Sequence, residues 1–234
     1  MALPIRIISS MATKQLLSDL IAQYQQEFPH REVEVESVGG VDAAKRVQAG
    51  ESFDIVALAS NAIEQLTAAG KIVPATRVDL VRSGVAAAVR SGSARPDISS
   101  EDAVKHAVVS ARTLGYSTGP SGVQLAKLFE RWGIADQIRG RIVTAPPGVP
   151  VGALIAKGEV ELGFQQLSEL INLSGIDLLG PLPPTIQITT VFSAGVSVTS
   201  NQSEAAQALL NFMASPATAQ TKLRNGMEAA TAHA

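Results

Sequence analysis

One pattern recurs four times along this chain. An apolar, strand-like run passes through a short Ser- or Gly-bearing loop into an amphipathic helix. The loops are Ser9-Ser10, Gly39-Gly40, Gly119-Pro120-Ser121-Gly122 and Gly148-Val149-Pro150. Alternation of strand and helix implies an α/β fold with a largely parallel sheet. Each loop also brings unpaired backbone N–H groups to the positive end of a helix dipole. That combination makes an anion site, and several together can surround one small anion.

The spacing of apolar residues predicts the elements. Ile5 to Ile8 reads as a buried strand, and Ser9 or Ser10 as the cap of the next helix. In that helix Leu16, Leu17, Leu20, Ile21, Tyr24 and Phe28 share one face, and Pro29 ends it. Val33 and Val35 alternate with Glu32, Glu34 and Glu36, as in a strand with one wet face. A short helix follows Gly39-Gly40 and ends at Gly50. Ile55 to Leu58 is the next strand, and Ser60 opens a helix closed by Gly70.

Leu80-Val81 and Val85 to Val89 read as a strand interrupted by Ser83-Gly84. Ser99 to Asp102 resembles a capping box. Leu114 to Tyr116, Ile142-Val143 and Leu162-Gly163-Phe164 read as strands. Helices follow the glycine-bearing loop before Val123, begin at Val151, and run from Gln165 through Leu170. After Pro181-Leu182-Pro183-Pro184 comes a long strand, Val191 to Val198. Ser203 then caps a helix, Pro216 begins the last one, and the tail from Ala229 reads as frayed. Residues 1–82 with 188–234 form one expected lobe, and residues 83–187 the other. A chain that leaves a lobe and returns makes a hinged pair, with ligands at the carboxyl ends of parallel strands.

Composition narrows the chemistry. Apolar residues make up 46% of the 234 positions and charged residues 17%, enough for a sizeable core. Aromatic residues are only 4%, which disfavours an aromatic-lined ligand pocket. The net charge of −2 argues against a nucleic-acid partner. There is no cysteine, so disulfide partners and thiolate chemistry are excluded. The three histidines, His30, His106 and His233, are scattered, so neither a metal site nor a base for Ser121 is expected. No cofactor is expected either. No apolar run reaches membrane-spanning length. The start at Met1-Ala2-Leu3 enters a strand at once, which fits a cytoplasmic chain or one whose signal peptide was removed.

The ordered set Ser9-Ser10, Gly39-Gly40, Asp54-Ile55-Val56, Gly119-Pro120-Ser121-Gly122 and Gly158-Glu159-Val160-Glu161-Leu162-Gly163 resembles the molybdate-binding branch of the type II periplasmic substrate-binding proteins. The resemblance spans nearly the whole chain. It implies a two-lobed type II fold with mainly parallel sheets and a hinge, a small anionic ligand between the lobes, an ABC permease as partner and a periplasmic location. Carried over by position, it implies ligand contacts from Ser10, Gly40, Val41, Ser121, Gly122, Val151, Gln165 and Gln166.

Two positions depart from the family pattern. Gly40 stands where a serine is usual, and Gln166 where a tyrosine is usual. A Gln amide can donate to a carboxylate, and Gly40 leaves room for a larger ligand. Aconitate isomerase, which resembles the same fold, moves a proton between carbons of a tricarboxylate. An isomerase of a small polycarboxylic acid, with Glu169 as its base, is therefore an alternative to pure binding. Each residue also has a plainer reading. Ser10 can be a helix cap, Gly39-Gly40 a turn, Gln165 to Glu169 a solvated first helical turn, and Arg46 a surface residue in place of a carboxylate partner.

Overall fold

A computed structural model describes residues 3–146 and 148–230. In chain order the strands and helices are β1 (Ile5–Ser10), α1 (Lys14–Glu27), β2 (Val33–Val38), α2 (Gly40–Gln48), β3 (Ile55–Ala59), α3 (Ser60–Ala68) and β4 (Val78–Arg90). Next come α4 (Glu101–Ser110), β5 (Leu114–Ser117), α5 (Pro120–Arg131), α6 (Ala135–Ile138), β6 (Ile142–Ala145) and α7 (Val151–Lys157). The remainder is β7 (Leu162–Gln166), α8 (Leu167–Leu170), β8 (Ile176–Pro181), β9 (Thr189–Val196), α9 (Ser203–Ala214), α10 (Ala219–Arg224) and β10 (Glu228–Ala229).

The chain divides into two compact units, Met1–Arg82 with Val191–Ala234, and Ser83–Thr190. In the first unit β1 pairs parallel with β2 and with β3, and β9 closes on β3 antiparallel. The short β10 pairs antiparallel with the start of β4. Helix α1 buries Leu16, Leu17, Leu20 and Ile21 in a core shared with Ile5, Ile7, Leu209, Leu210 and Met213. Each such side chain, fully removed from water, contributes about 1.5–3 kcal/mol. A second cluster around Ile8, Val56, Leu58 and Ile63 fills the other face of the sheet.

The second unit repeats the scheme. Strand β5 pairs parallel with β6 and with β7, and β7 pairs antiparallel with β4. Strand β8 also pairs antiparallel with β4. The passages from β1 to β2 and from β5 to β6 join parallel neighbours, whereas β9 on β3 and β4 on β7 pair antiparallel. Phe129, Phe164, Leu125 and Val108 form one core. Val151, Ile155 and Leu170 belong to the other. Gly115 and Gly163 let α7 lie close against the strands. A Cβ on Gly163 would stand 2.4 Å from Ile155, and one on Gly115 2.7 Å from Val160.

Several expected details differ. Phe28 caps the end of α1 and is 46% exposed, because the helix stops one residue earlier, at Glu27. Strand β4 runs unbroken through Ser83-Gly84. The cap of α4 is Ser100, whose hydroxyl accepts from Ala103 N–H, and not Ser99. Ser203 is the first residue of α9, which makes Gln202 its cap residue. A single-turn 3-10 helix, Pro216–Thr218, precedes α10. Strand β7 extends through Gln166, so Gln165 and Gln166 are strand residues; the helix expected from Gln165 starts at Leu167. Strand β8, helix α6 and strand β10 were not expected. Of the tail read as frayed, Ala229 lies in β10, and residues 231–234, with His233, fall outside the described residues.

Candidate functional site

Both units place loops at the carboxyl ends of their parallel strands. In the first unit that edge holds Ser9 and Ser10 at the end of β1, and Gly39-Gly40 between β2 and α2. Ser9 is fully buried, and its hydroxyl pairs with that of Ser37 at 2.7 Å. Ser10 has extended backbone and precedes a 3-10 turn, Met11–Thr13. Its side chain makes no capping bond, so the plain cap reading does not hold. The Ser10 hydroxyl is buried, with the residue only 7% exposed, and has no hydrogen-bond partner among the described residues. Leaving such a group unpaired costs about 1–3 kcal/mol. Thr13 donates to the Ser10 carbonyl at 3.2 Å, which holds the turn shut.

Gly40 lies beside Ser10. A Cβ on Gly40 would meet the Ser10 Cβ at 3.6 Å, an ordinary contact. Space therefore does not demand glycine there, and its absent side chain leaves room next to the unpartnered hydroxyl. Gly40, Val41 and Asp42 form the first turn of α2, where backbone N–H groups have no partner within the helix. The Val41 side chain itself is 59% exposed. Arg46 is committed elsewhere. It bonds Glu51 and Glu36 and stacks on Phe53, so its charge is already compensated.

In the second unit, Ser121 and Gly122 occupy the first turn of α5, after Pro120, and both are buried. Gly122 is required sterically: a Cβ there would stand 1.7 Å from the Ser117 carbonyl oxygen. The Val151 N–H opens α7, but it is engaged. It donates to Gln165 Oε1 at 2.8 Å. Its role as a free donor at the helix start is thus taken by the protein's own amide.

Gln165 and Gln166 are 2% and 3% exposed, which overturns the reading of a solvated helical turn. Gln165 donates from Nε2 to Glu169 Oε1 at 2.8 Å. Gln166 donates from Nε2 to the Thr190 hydroxyl at 2.7 Å, and its Oε1 is buried without a partner among the described residues. Ser168 Oγ is likewise buried and unpartnered. Burial pushes the Glu169 carboxyl up to about 7, against the opposing pull of its bond to Gln165.

The two neighbouring amides differ in freedom. A backbone N–H can only donate, so Val151 obliges Gln165 to present its oxygen there and its NH2 to Glu169. A hydroxyl both donates and accepts. Gln166 can turn its amide over, keep Thr190, and bring the NH2 to the unpartnered side. Thr190, Ser168 and Ser37, the partner of Ser9, are polar groups that the apolar spacing and loop pattern do not single out. Ser9 was visible as half of a serine doublet. Thr190 carried no local signal, since its partner is 24 residues away. His106 is an exposed residue of α4 and makes no bond to Ser121.

Residues 5–228 match the family model of the bacterial extracellular solute-binding proteins. An aconitate isomerase from a Pseudomonas species is 39% identical over 186 residues, which cover 78% of this chain and 70% of that protein. The periplasmic molybdate-binding protein of Azotobacter vinelandii superposes with a TM-score of 0.79 at 18% identity, covering 95% of this chain and 98% of that one. The sulfate-binding protein SubI of Mycobacterium tuberculosis gives 0.76 at 16% identity, over 97% and 86% of the two chains. These likenesses carry the fold, that of the type II periplasmic binding proteins.

Proposed function

Since the chain belongs to the bacterial extracellular solute-binding protein family, we propose that it binds a small organic anion through carboxylate groups. The observation that carries this reading is the Ser10 hydroxyl, buried, unpartnered and next to the open first turn of α2. A donor left unpaired at such cost fits a ligand that completes it. The second unit, taken by itself, holds further neutral donors: Gln166, whose amide can turn to donate without losing Thr190, and the first-turn N–H groups of Ser121 and Gly122. All of these donors are neutral. Recognition then comes from fixed dipoles in a dry setting, where each is worth more than in water.

The departures at Gly40 and Gln166 favour carboxylates over a tetrahedral molybdate-type oxyanion. Gly40 adds room, and a planar amide suits a planar carboxylate. The family's character supports delivery of the ligand to an ABC permease and operation outside the cytoplasmic membrane.

A thermal-shift screen with molybdate, tungstate, sulfate, phosphate and di- and tricarboxylates tests this reading. A ligand at one hundred times its Kd adds about 2.7 kcal/mol of stability. We expect the carboxylates to stabilise most. Selective stabilisation by molybdate or tungstate would reverse the ligand assignment. Gln166→Tyr should then move preference toward tetrahedral oxyanions, and an unchanged order of ligands would remove Gln166 from the contact set.

A second reading, isomerisation of an unsaturated polycarboxylic acid, is favoured by Glu169. A carboxyl poised near neutral pH is suited to take a proton from one carbon and return it to another. The 39% identity to an aconitate isomerase supports the same reading. In such a shift the C–H bonding pair moves into conjugation with the double bond and carboxylate. A new C–H bond then forms at the far end of the three-carbon system, with no oxidant or reductant.

A further inference from the structure

Glu169 is held in an asymmetric way. Its Oε1 accepts the Gln165 amide at 2.8 Å, while its Oε2 has no hydrogen-bond partner among the described residues. Gln165 cannot turn round to do otherwise, because the Val151 N–H fixes its oxygen at 2.8 Å. The Val151 residue is itself fully buried, packed where Gly115 and Gly163 leave space for it. The chain of contacts runs from a rigid helix start, through an amide of one permitted orientation, to one oxygen of a carboxyl. Gln166, with the same side chain one residue on, has no such constraint, since its partner is a hydroxyl.

We propose that Gln165 is a positioning residue for proton transfer by Glu169, pinning one carboxylate oxygen so that the other is free to take and return a carbon-bound proton. The inference rests on the isomerase reading. The free oxygen accepts the proton as the substrate C–H bond breaks, and gives it back at the new carbon, leaving Glu169 as it began. The pinned oxygen keeps the amide bond throughout, so the carboxyl does not rotate between the two transfers. A carboxylate tethered this way loses less freedom when the substrate arrives.

The decisive measurements use the intact protein with cis-aconitate in deuterated water, following deuterium uptake into the bound acid by NMR. In the unsubstituted protein the Gln165 side-chain NH2 signals should shift with the same midpoint as the Glu169 carboxyl carbon, a readout that needs no variant. Gln165→Met should raise that midpoint, by about one pH unit, and slow deuterium uptake roughly tenfold or more with a smaller change in KM. Gln165→Glu, which retains an acceptor for Val151 N–H, should slow uptake as well. It serves if the Met variant does not fold. Gln165 signals indifferent to the Glu169 titration, or uptake unaltered in a folded Gln165 variant while Glu169→Gln abolishes it, would overturn the role of Gln165 alone. Uptake persisting at the normal rate in Glu169→Gln would overturn the isomerase reading beneath it.

Discussion

The two units carry polar edges built on the same plan but chemically unlike. The Ser9–Ser10 edge of the first unit offers hydroxyls and backbone N–H groups, with no ionisable side chain among its donors. The Gln165–Glu169 edge of the second has amides and a carboxyl whose charge changes near neutral pH. Under the proposed function the first edge would offer an anion the same neutral donors at any pH. On the same reading the second would respond to pH, because a charged Glu169 repels a carboxylate and a protonated one does not. Repetition of a strand–loop–helix unit therefore gives a constant half and a titrating half.

The steric contrast between their glycines predicts the largest effect. Gly122→Ala should destabilise the protein by about 3 kcal/mol or more, since the new methyl group overlaps a backbone carbonyl. Gly40→Ala should change stability by under about 1 kcal/mol, because its Cβ has ordinary contact distances and alanine suits a helix. Urea denaturation of both variants checks the pair, and equal costs would break the contrast.

The next effect is electrostatic. Glu169 has a carboxyl raised from 4.5 to about 7, so the folded chain holds a proton in that range that the unfolded chain releases. Its contribution to stability is full below pH 4.5 and is lost as pH rises through 7. Glu169→Gln should remove that loss. The variant should match the parent in acid and exceed it by about 3 kcal/mol above roughly pH 8. A constant difference between the two melting profiles across pH would show that Glu169 ionises as an ordinary surface carboxyl. Affinity for a carboxylate ligand should likewise fall as pH rises through 7 in the parent and stay flat in the variant.

Smaller, and opposite in sign for two measurements, is Ser10→Ala. Ligand affinity should fall by about 1–3 kcal/mol, while the fold keeps or gains stability as an unpartnered hydroxyl is removed. Calorimetry with the best ligand of the screen reads the first and thermal melting the second. A loss of stability with unchanged affinity would make Ser10 a structural residue. The smallest expectation is none at all. Arg46→Lys should leave affinity unaltered, because Glu36 and Glu51 already hold its guanidinium. A drop in affinity would bring that cation into the site.

Apolar periodicity made the strands and helices with strong repeats legible: Ile5 to Ile8, the Leu16–Tyr24 face, Ile55 to Leu58 and the helix around Leu125 and Phe129 all formed where spacing placed them. Helix caps shifted by one residue at Ser99 and Ser203, since several adjacent Ser, Gln and Asn residues compete for one geometry. Strand β8 escaped notice because its pairing with β4 is long-range, and its own sequence ends in Gly-Pro. In the candidate site the residue types were legible and their engagements were not. Nothing local announced that Val151 N–H is occupied by Gln165, or that Gln165 is pinned while Gln166 is not. Those facts belong to pairings across 14 and 24 residues, which a linear reading does not reach.

The division of the chain at Arg82/Ser83 and Thr190/Val191 also bears on how the molecule is made. The second unit is one uninterrupted stretch, whereas the sheet of the first needs β9, and its core needs α9, both of which follow nearly all of the second unit in the chain. On the ribosome, the later-starting unit can therefore finish first. The first-unit residues up to Arg82 stay without their closing strand until residues 189–196, after nearly the whole second unit, have been synthesised. A truncation that removes β9 and α9 would cripple the part synthesised earliest and spare the middle.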